Sequence, residues 1–157
     1  MKSYEIRAIG KTTEAWQSEA IKSWLTRLSP YIKTSIKELP EGHEGSVKPD
    51  LAKTRAREAE VLLKKLPEQA FIVALDETGK NISSEALAHE LEQQTDNGTA
   101  IVFLIGGSWG LDESVRHRAN LVLSFGKQTL PHNLVKIILL EQLFRTEAIL
   151  RGKTYHK

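Results

Sequence analysis

The chain has 157 residues, 40% apolar and 27% charged, with a formal net charge of +2, five histidines and no cysteine. That length and balance fit one soluble globular domain with a sizeable core, and the absence of cysteine excludes disulfides, thiolate zinc sites and Cys nucleophiles. The opening Met-Lys-Ser-Tyr-Glu-Ile-Arg lacks the apolar core of a signal peptide, and the apolar run Ala100–Ile105 is far too short to cross a bilayer, so a cytoplasmic location is expected.

Tyr4–Ile9 alternates apolar and polar residues and stops at Gly10, which predicts a first strand. Thr12 and Thr13 precede a helical pattern in which Trp16, Ala20, Ile21, Trp24, Leu25 and Leu28 recur at three- and four-residue intervals, closed by Ser29-Pro30. Thr34–Leu39 predicts a second strand, stopped by Pro40. Glu41–Lys48 is the most loop-like segment, polar and with two glycines. Pro49 suits the first turn of a helix running to about Lys65. Ala70–Leu75 is a nearly continuous apolar run, as expected of a strand covered on both faces. Asp76–Lys80 is expected to turn the chain, and Ser83/Ser84 to cap a helix through about Gln94. Asp96-Asn97-Gly98 reads as a turn, Ala100–Ile105 as a second buried strand, Leu111–Ala119 as a short helix and Leu121–Ser124 as a last strand. Strands alternating with helices throughout imply one α/β domain over residues 1–157, with a mainly parallel sheet and helices on both faces.

The final helix, from about Pro131 to Leu150, carries too many apolar residues for a single surface stripe. One side can cover the sheet. The other most simply meets a second subunit, which implies a symmetric homodimer; the alternative is complete burial within a monomer. Charge is unevenly spread: residues 1–66 hold 13 Lys+Arg against 9 Asp+Glu, residues 67–100 hold 1 against 7, and residues 101–157 hold 8 against 4. Such segregation can offer a basic face to a polyanion, or can reflect ordinary solvated helix faces.

Two glycine-bearing turns follow strands: Gly106-Gly107-Ser108-Trp109-Gly110, and Phe125-Gly126-Lys127-Gln128-Thr129-Leu130 leading into Pro131-His132. Their backbone groups are free to meet a ligand, and together they suggest a pocket at one sheet edge. No dinucleotide or triphosphate-loop motif is present. The histidines form no metal-ligand spacing, so no metal is expected. His89 and His117 read as solvated helix residues, and His43 belongs to the polar loop. His132 and the tail Arg151-Gly152-Lys153-Thr154-Tyr155-His156-Lys157 bring stacking, hydrogen-bonding and phosphate-binding groups together.

Leu75-Asp76 with Gly79-Lys80, Leu104–Ser108 with Gly110-Leu111, Leu123-Ser124 with Gln128–His132, and Glu141–Arg145 with Arg151-Gly152 and Tyr155–Lys157 form a set. In these motifs the chain resembles, over its full length, the ribosomal RNA large subunit methyltransferase H family of the SPOUT class. The resemblance implies a cytoplasmic homodimer with a C-terminal trefoil knot. It implies transfer of a methyl group from S-adenosyl-L-methionine to N3 of a pseudouridine in large-subunit (23S) rRNA on assembled ribosomes. It places the cofactor against Leu75, Gly106, Phe125, Gly126, Lys127, Gln128, Thr129 and Leu130. His132, Arg145, Tyr155 and His156 match positions on the substrate side, with the tail completing the partner subunit's pocket.

An imide nitrogen must lose its proton before it attacks; His132 or His156 is the expected base and Arg145 its electrostatic partner. Phe144 stands where the family commonly has Tyr, Thr146 where it commonly has Ala, and Trp109 is bulky for a glycine turn. The other readings are a non-catalytic dimeric RNA-binding module and a SPOUT methyltransferase acting on a different RNA.

Overall fold

The computed structural model describes residues 2–43 and 47–156. Of the loop expected over Glu41–Lys48, residues 44–46 lie outside the described residues, as do both terminal residues. Elements alternate as expected: β1 (Ser3–Ile9), α1 (Ala15–Leu28), β2 (Lys33–Leu39), α2 (Leu51–Leu63), β3 (Phe71–Lys80), α3 (Ser84–Asp96), β4 (Ile101–Ile105), α4 (Glu113–Arg118), β5 (Leu121–Leu123) and α5 (His132–Leu150). The sheet order is β2-β1-β4-β3-β5, and every neighbouring pair is parallel. Each strand returns to the sheet through a helix, which is what parallel pairing requires.

Side-chain alternation along a strand divides the core in two. Ile101, Phe103 and Ile105 of β4 join Tyr4, Ile6 and Val73 against Leu28 of α1, Leu87 and Leu91 of α3, and Leu139, Leu140 and Leu143 of α5. Val102 and Leu104 face the other way with Ile72 and Ala74, against Ala59 and Leu62 of α2 and Val115 of α4. Hence all of β4 is buried, and its unbroken apolar run needs no polar positions. Each such side chain contributes roughly 1.5–3 kcal/mol of burial free energy.

The segment Asp76–Lys80 departs from the expected turn. β3 continues to Lys80, and both Leu75 and Lys80 pair with Leu123, so the intervening residues bulge out and the chain rejoins the same neighbour. Asp76 Oδ1 accepts from the amide of Thr78 at 2.8 Å and from its hydroxyl at 2.6 Å, which closes the bulge. Gly79 is required by close approach: a Cβ there would lie 2.5 Å from the carbonyl oxygen of Val122. Turn chemistry and strand pairing coexist within five residues.

Trp16 was expected on the buried stripe of α1 but is 55% exposed. It lies in the first turn, ahead of Ile21, Trp24, Leu25 and Leu28, which make the helix's core contacts. α4 is shorter than Leu111–Ala119 because Asp112 caps it, its Oδ2 accepting from the amide of Ser114 at 3.0 Å. α5 lies between α1 and α3, with Lys136, Leu139, Leu140, Leu143 and Thr146–Ala148 buried. Buried Glu147 ties it to the sheet, accepting from the Tyr4 hydroxyl at 2.9 Å and from Arg151. Leu134, Ile137, Ile138, Glu141 and Arg145 form a second stripe that is only half-buried within the protomer.

Candidate functional site

The carboxyl ends of β3, β4 and β5 open into a cavity of about 770 Å³, where open parallel sheets bind ligands. Leu75–Thr78 form one wall, the turn Ile105–Leu111 a second, and Phe125, Gly126 and Gln128–His132 a third, with Val135 at the base. Of the residues expected at a cofactor, Leu75, Gly106, Phe125, Gly126, Gln128, Thr129 and Leu130 line this cavity. Lys127 is exposed and lies outside its lining.

Ser124 folds the third wall. Its hydroxyl oxygen accepts from the amide of Gly126 at 3.0 Å and lies within donating distance of the Gly126 carbonyl, 2.8 Å, and the Glu77 carbonyl, 3.2 Å. Thr129 donates its hydroxyl to Glu77 Oε2 at 2.8 Å, fastening the third wall to the first. Asp76 accepts from Arg116 at 2.8 Å. Burial opposes ionisation of Asp76, but the Thr78 hydroxyl and amide and the Arg116 guanidinium prevail and hold its carboxyl below the usual range.

Behind the second wall stands Glu58 of α2, only 2% exposed. Its Oε2 accepts from the amide of Gly42 at 3.1 Å, and the carboxylate lies against the backbone of Gly107. A Cβ at Gly107 would lie 3.0 Å from Glu58 Oε2, so the carboxylate occupies the space a side chain would need. Burial, the largest influence, raises the carboxyl above its ordinary value, and Oε1 has no hydrogen-bond partner. The motifs passed over Glu58. The available signal was a charged residue at the helical spacing of Thr54, Ala59 and Leu62, all buried.

His132 opens α5 and lines the cavity. Its half-buried ring is shifted down by burial and then by Lys136, against the opposing influence of Glu41, a net shift that favours the neutral imidazole. Lys136 is itself fully buried, with Nζ 2.8 Å from the Thr12 hydroxyl oxygen, 3.5 Å from Asn133 Oδ1 and 3.9 Å from Glu38 Oε2.

Arg145, Tyr155 and His156 meet one another, but elsewhere. Arg145 donates to Glu141 Oε1 at 2.5 Å and to His156 Nδ1 at 3.3 Å. Tyr155 donates to the same Glu141 oxygen at 2.9 Å, with the Arg145 guanidinium 4.8 Å from its ring centroid. His156 Nε2 lies 2.6 Å from Glu85 Oε1. With Nδ1 accepting from Arg145, its proton sits on Nε2 and both ring nitrogens are engaged. Arg145 is thirteen residues beyond His132 on one helix, which at the α-helical rise separates them by about 20 Å. A protomer therefore does not bring its tail to its own His132. His43 is half-buried rather than an open loop residue, with Nε2 2.7 Å from Glu41 Oε2. His89 and His117 are exposed on their helices.

Leu75, Leu123, Phe125, Leu130 and Val135 supply apolar surface, the glycines allow backbone approach, and Asp76, Glu77 and Thr129 add polar groups. That donor set and volume fit a nucleoside with a charged side arm. Residues 1–156 match the family described as "Predicted SPOUT methyltransferase", and the chain belongs to that family of methyltransferases. It is 41% identical to the ribosomal RNA large subunit methyltransferase H of Carboxydothermus hydrogenoformans over 155 residues, 97% of this chain and 98% of that one. Among solved structures it is similar to a probable methylase family protein from Haemophilus influenzae Rd KW20, with a TM-score of 0.54 and 11% identity over 99% of this chain and 70% of that one, a likeness of fold alone. Among the described residues no helix is long and apolar enough to span a membrane, and no cluster of His, Asp or Glu forms a candidate metal site.

Proposed function

We propose that this protein is a cytoplasmic, single-domain homodimer that uses S-adenosyl-L-methionine to methylate N3 of a pseudouridine in large-subunit rRNA on assembled ribosomes. The name of the 41%-identical relative supports the substrate. The observation that carries the chemistry is the cavity at the ends of β3, β4 and β5, with His132 in its lining. We infer that the C-terminal part is knotted, a reading supported by the contacts that bind Ser124 and Thr129 tightly to Glu77, Lys80 and Asn81.

Leu75, Gly106, Phe125, Gly126 and Gln128–Leu130 hold the nucleoside of the methyl donor. When bound, S-adenosyl-L-methionine supplies an electrophilic methyl group on a sulfonium with a good leaving group, so alignment is the protein's main task. His132 accepts the imide proton on Nε2 or Nδ1, for which a neutral ring is needed. Arg145 stabilises the anion that remains on the substrate, and Tyr155 and His156 position it.

The 20 Å gap within α5 means that this assignment needs a second protomer. The half-buried stripe Leu134, Ile137, Ile138, Glu141 and Arg145 supplies the surface for it, so that one subunit's tail reaches its partner's cavity. The test is methyl transfer from labelled donor to assembled ribosomes lacking the modification, with free rRNA as the comparison and the product nucleoside resolved by mass spectrometry. N3-methylpseudouridine is expected. Donor binding without any transfer to ribosomes or other RNA would indicate a non-catalytic RNA-binding module instead.

A further inference from the structure

We propose that Trp24, Arg27, Tyr31 and Lys153 form a stacking platform for single-stranded RNA beside the Arg145–Tyr155–His156 tail. The proposal rests on the reading of the substrate as RNA and specifies where nucleotides outside the reacting base are held. Three segments build the surface: the last turns of α1, the turn that follows it, and the tail. Phe144 of α5 joins them, its ring centroid 5.7 Å from Trp24, 6.1 Å from Tyr31 and 4.9 Å from Tyr155. Cations lie over the rings. The Arg27 guanidinium is 4.9 Å from the Trp24 centroid, and Lys153 Nζ is 4.3 Å from that of Tyr31 and also donates to its hydroxyl. Because the Phe144 ring touches Trp24, Tyr31 and Tyr155 alike, the platform is continuous with the tail.

What separates this surface from an ordinary salt-bridged one is how its charge is held. Arg145 and Arg151 are tied to Glu141 and Glu147. Among the described residues, exposed Arg27 and Lys153 have no carboxylate partner and are oriented by aromatic faces instead. A ring fixes a cation without neutralising it, leaving its full charge for a phosphate and, for arginine, a planar face for a base. Unpaired cations beside aromatic surface are the combination that single-stranded nucleic acid binding uses.

Assembled ribosomes lacking the modification are the probe, with affinity measured across a salt series for the wild-type chain and for Arg27→Gln, Lys153→Gln and the double variant. The double variant is expected to bind roughly tenfold more weakly and to lose about 1.4 from the log–log salt slope, some 0.7 per single-strand phosphate contact. Its affinity for S-adenosyl-L-methionine, read by calorimetry, and its sedimentation coefficient should match wild type. Tyr31→Phe, which keeps the ring, should bind more tightly than Tyr31→Leu by roughly tenfold. An unchanged slope and affinity in the double variant, with wild type binding normally, overturns the platform alone. A shift of that variant to monomers also overturns it, by making the surface a subunit contact. Wild-type protein that binds the donor but shows no salt-dependent affinity for assembled ribosomes overturns both the platform and the RNA reading.

Discussion

Glu58 and Gly107 meet across the back of the cavity wall, and each makes sense only with the other. With its Cβ 3.0 Å from a buried carboxylate oxygen, Gly107→Ala must push Glu58 or the turn aside, at a cost of about 1–3 kcal/mol in urea unfolding. Donor affinity should fall with it. Adding Glu58→Ala should recover part of that affinity, because the collision with the carboxylate is removed while the one with Ile9 Cγ2, also 3.0 Å from the added Cβ, remains; strictly additive losses would show that the two residues are independent. Lys136 is a different case, a fully buried cation whose nearest carboxylate is 3.9 Å away. Lys136→Met should leave stability unchanged or raise it, since an apolar chain of similar volume avoids the cost of burying charge. His132 gives a pH signature. Its folded-state pKa is lowered, so the unfolded chain takes up the proton first as pH falls. The stability linked to this group is present above the ordinary histidine value of about 6.5 and is lost as pH drops through that value toward the folded one. His132→Gln should flatten that part of a stability–pH profile between pH 5 and 8 and abolish the matching inflection in the single-turnover rate.

The elements differ in how openly the sequence announces them. β4 was legible because both its faces are covered, and an unbroken apolar run has no other economical explanation in a chain of alternating strands and helices. The extension of β3 was not. Asp76, Thr78 and Gly79 carry turn chemistry, and only the return of Lys80 to pair with Leu123 shows that the turn is a bulge within a strand. A long-range register cannot be read from local preference. The helical spacing in α1 was visible, but Trp16 shows that periodicity does not say which turns another element covers. For α5, apolar excess on two sides was the useful signal. Leu143 is fully buried on its inward side, so Leu143→Ala should cost about 2–5 kcal/mol by denaturant titration. Ile137→Asp, on the half-buried stripe, should instead shift the protein toward monomers in analytical ultracentrifugation.

At the scale of the whole molecule, the cavity and the tail lie at opposite ends of one helix. The sequence motifs named residues at both ends but carried no distance between them; the 20 Å rise of α5 supplies it. The glycine-turn walls of the cavity were largely legible because glycines and apolar residues at strand ends have a direct physical reading, whereas Glu58 and Ser124 act through contacts with segments remote in sequence or through a local hydroxyl network. A composite site between subunits is tested most directly by mixing two inactive variants. Thr129→Trp fills the cavity and should abolish donor binding, while His156→Ala with Arg145→Gln disables the tail. After joint unfolding and refolding, random pairing makes about half of the dimers mixed, each with one intact site, so about a quarter of wild-type methyl transfer should return. Mixed dimers that form, as shown by differential tagging, yet recover no activity would contradict a tail acting on its partner's cavity.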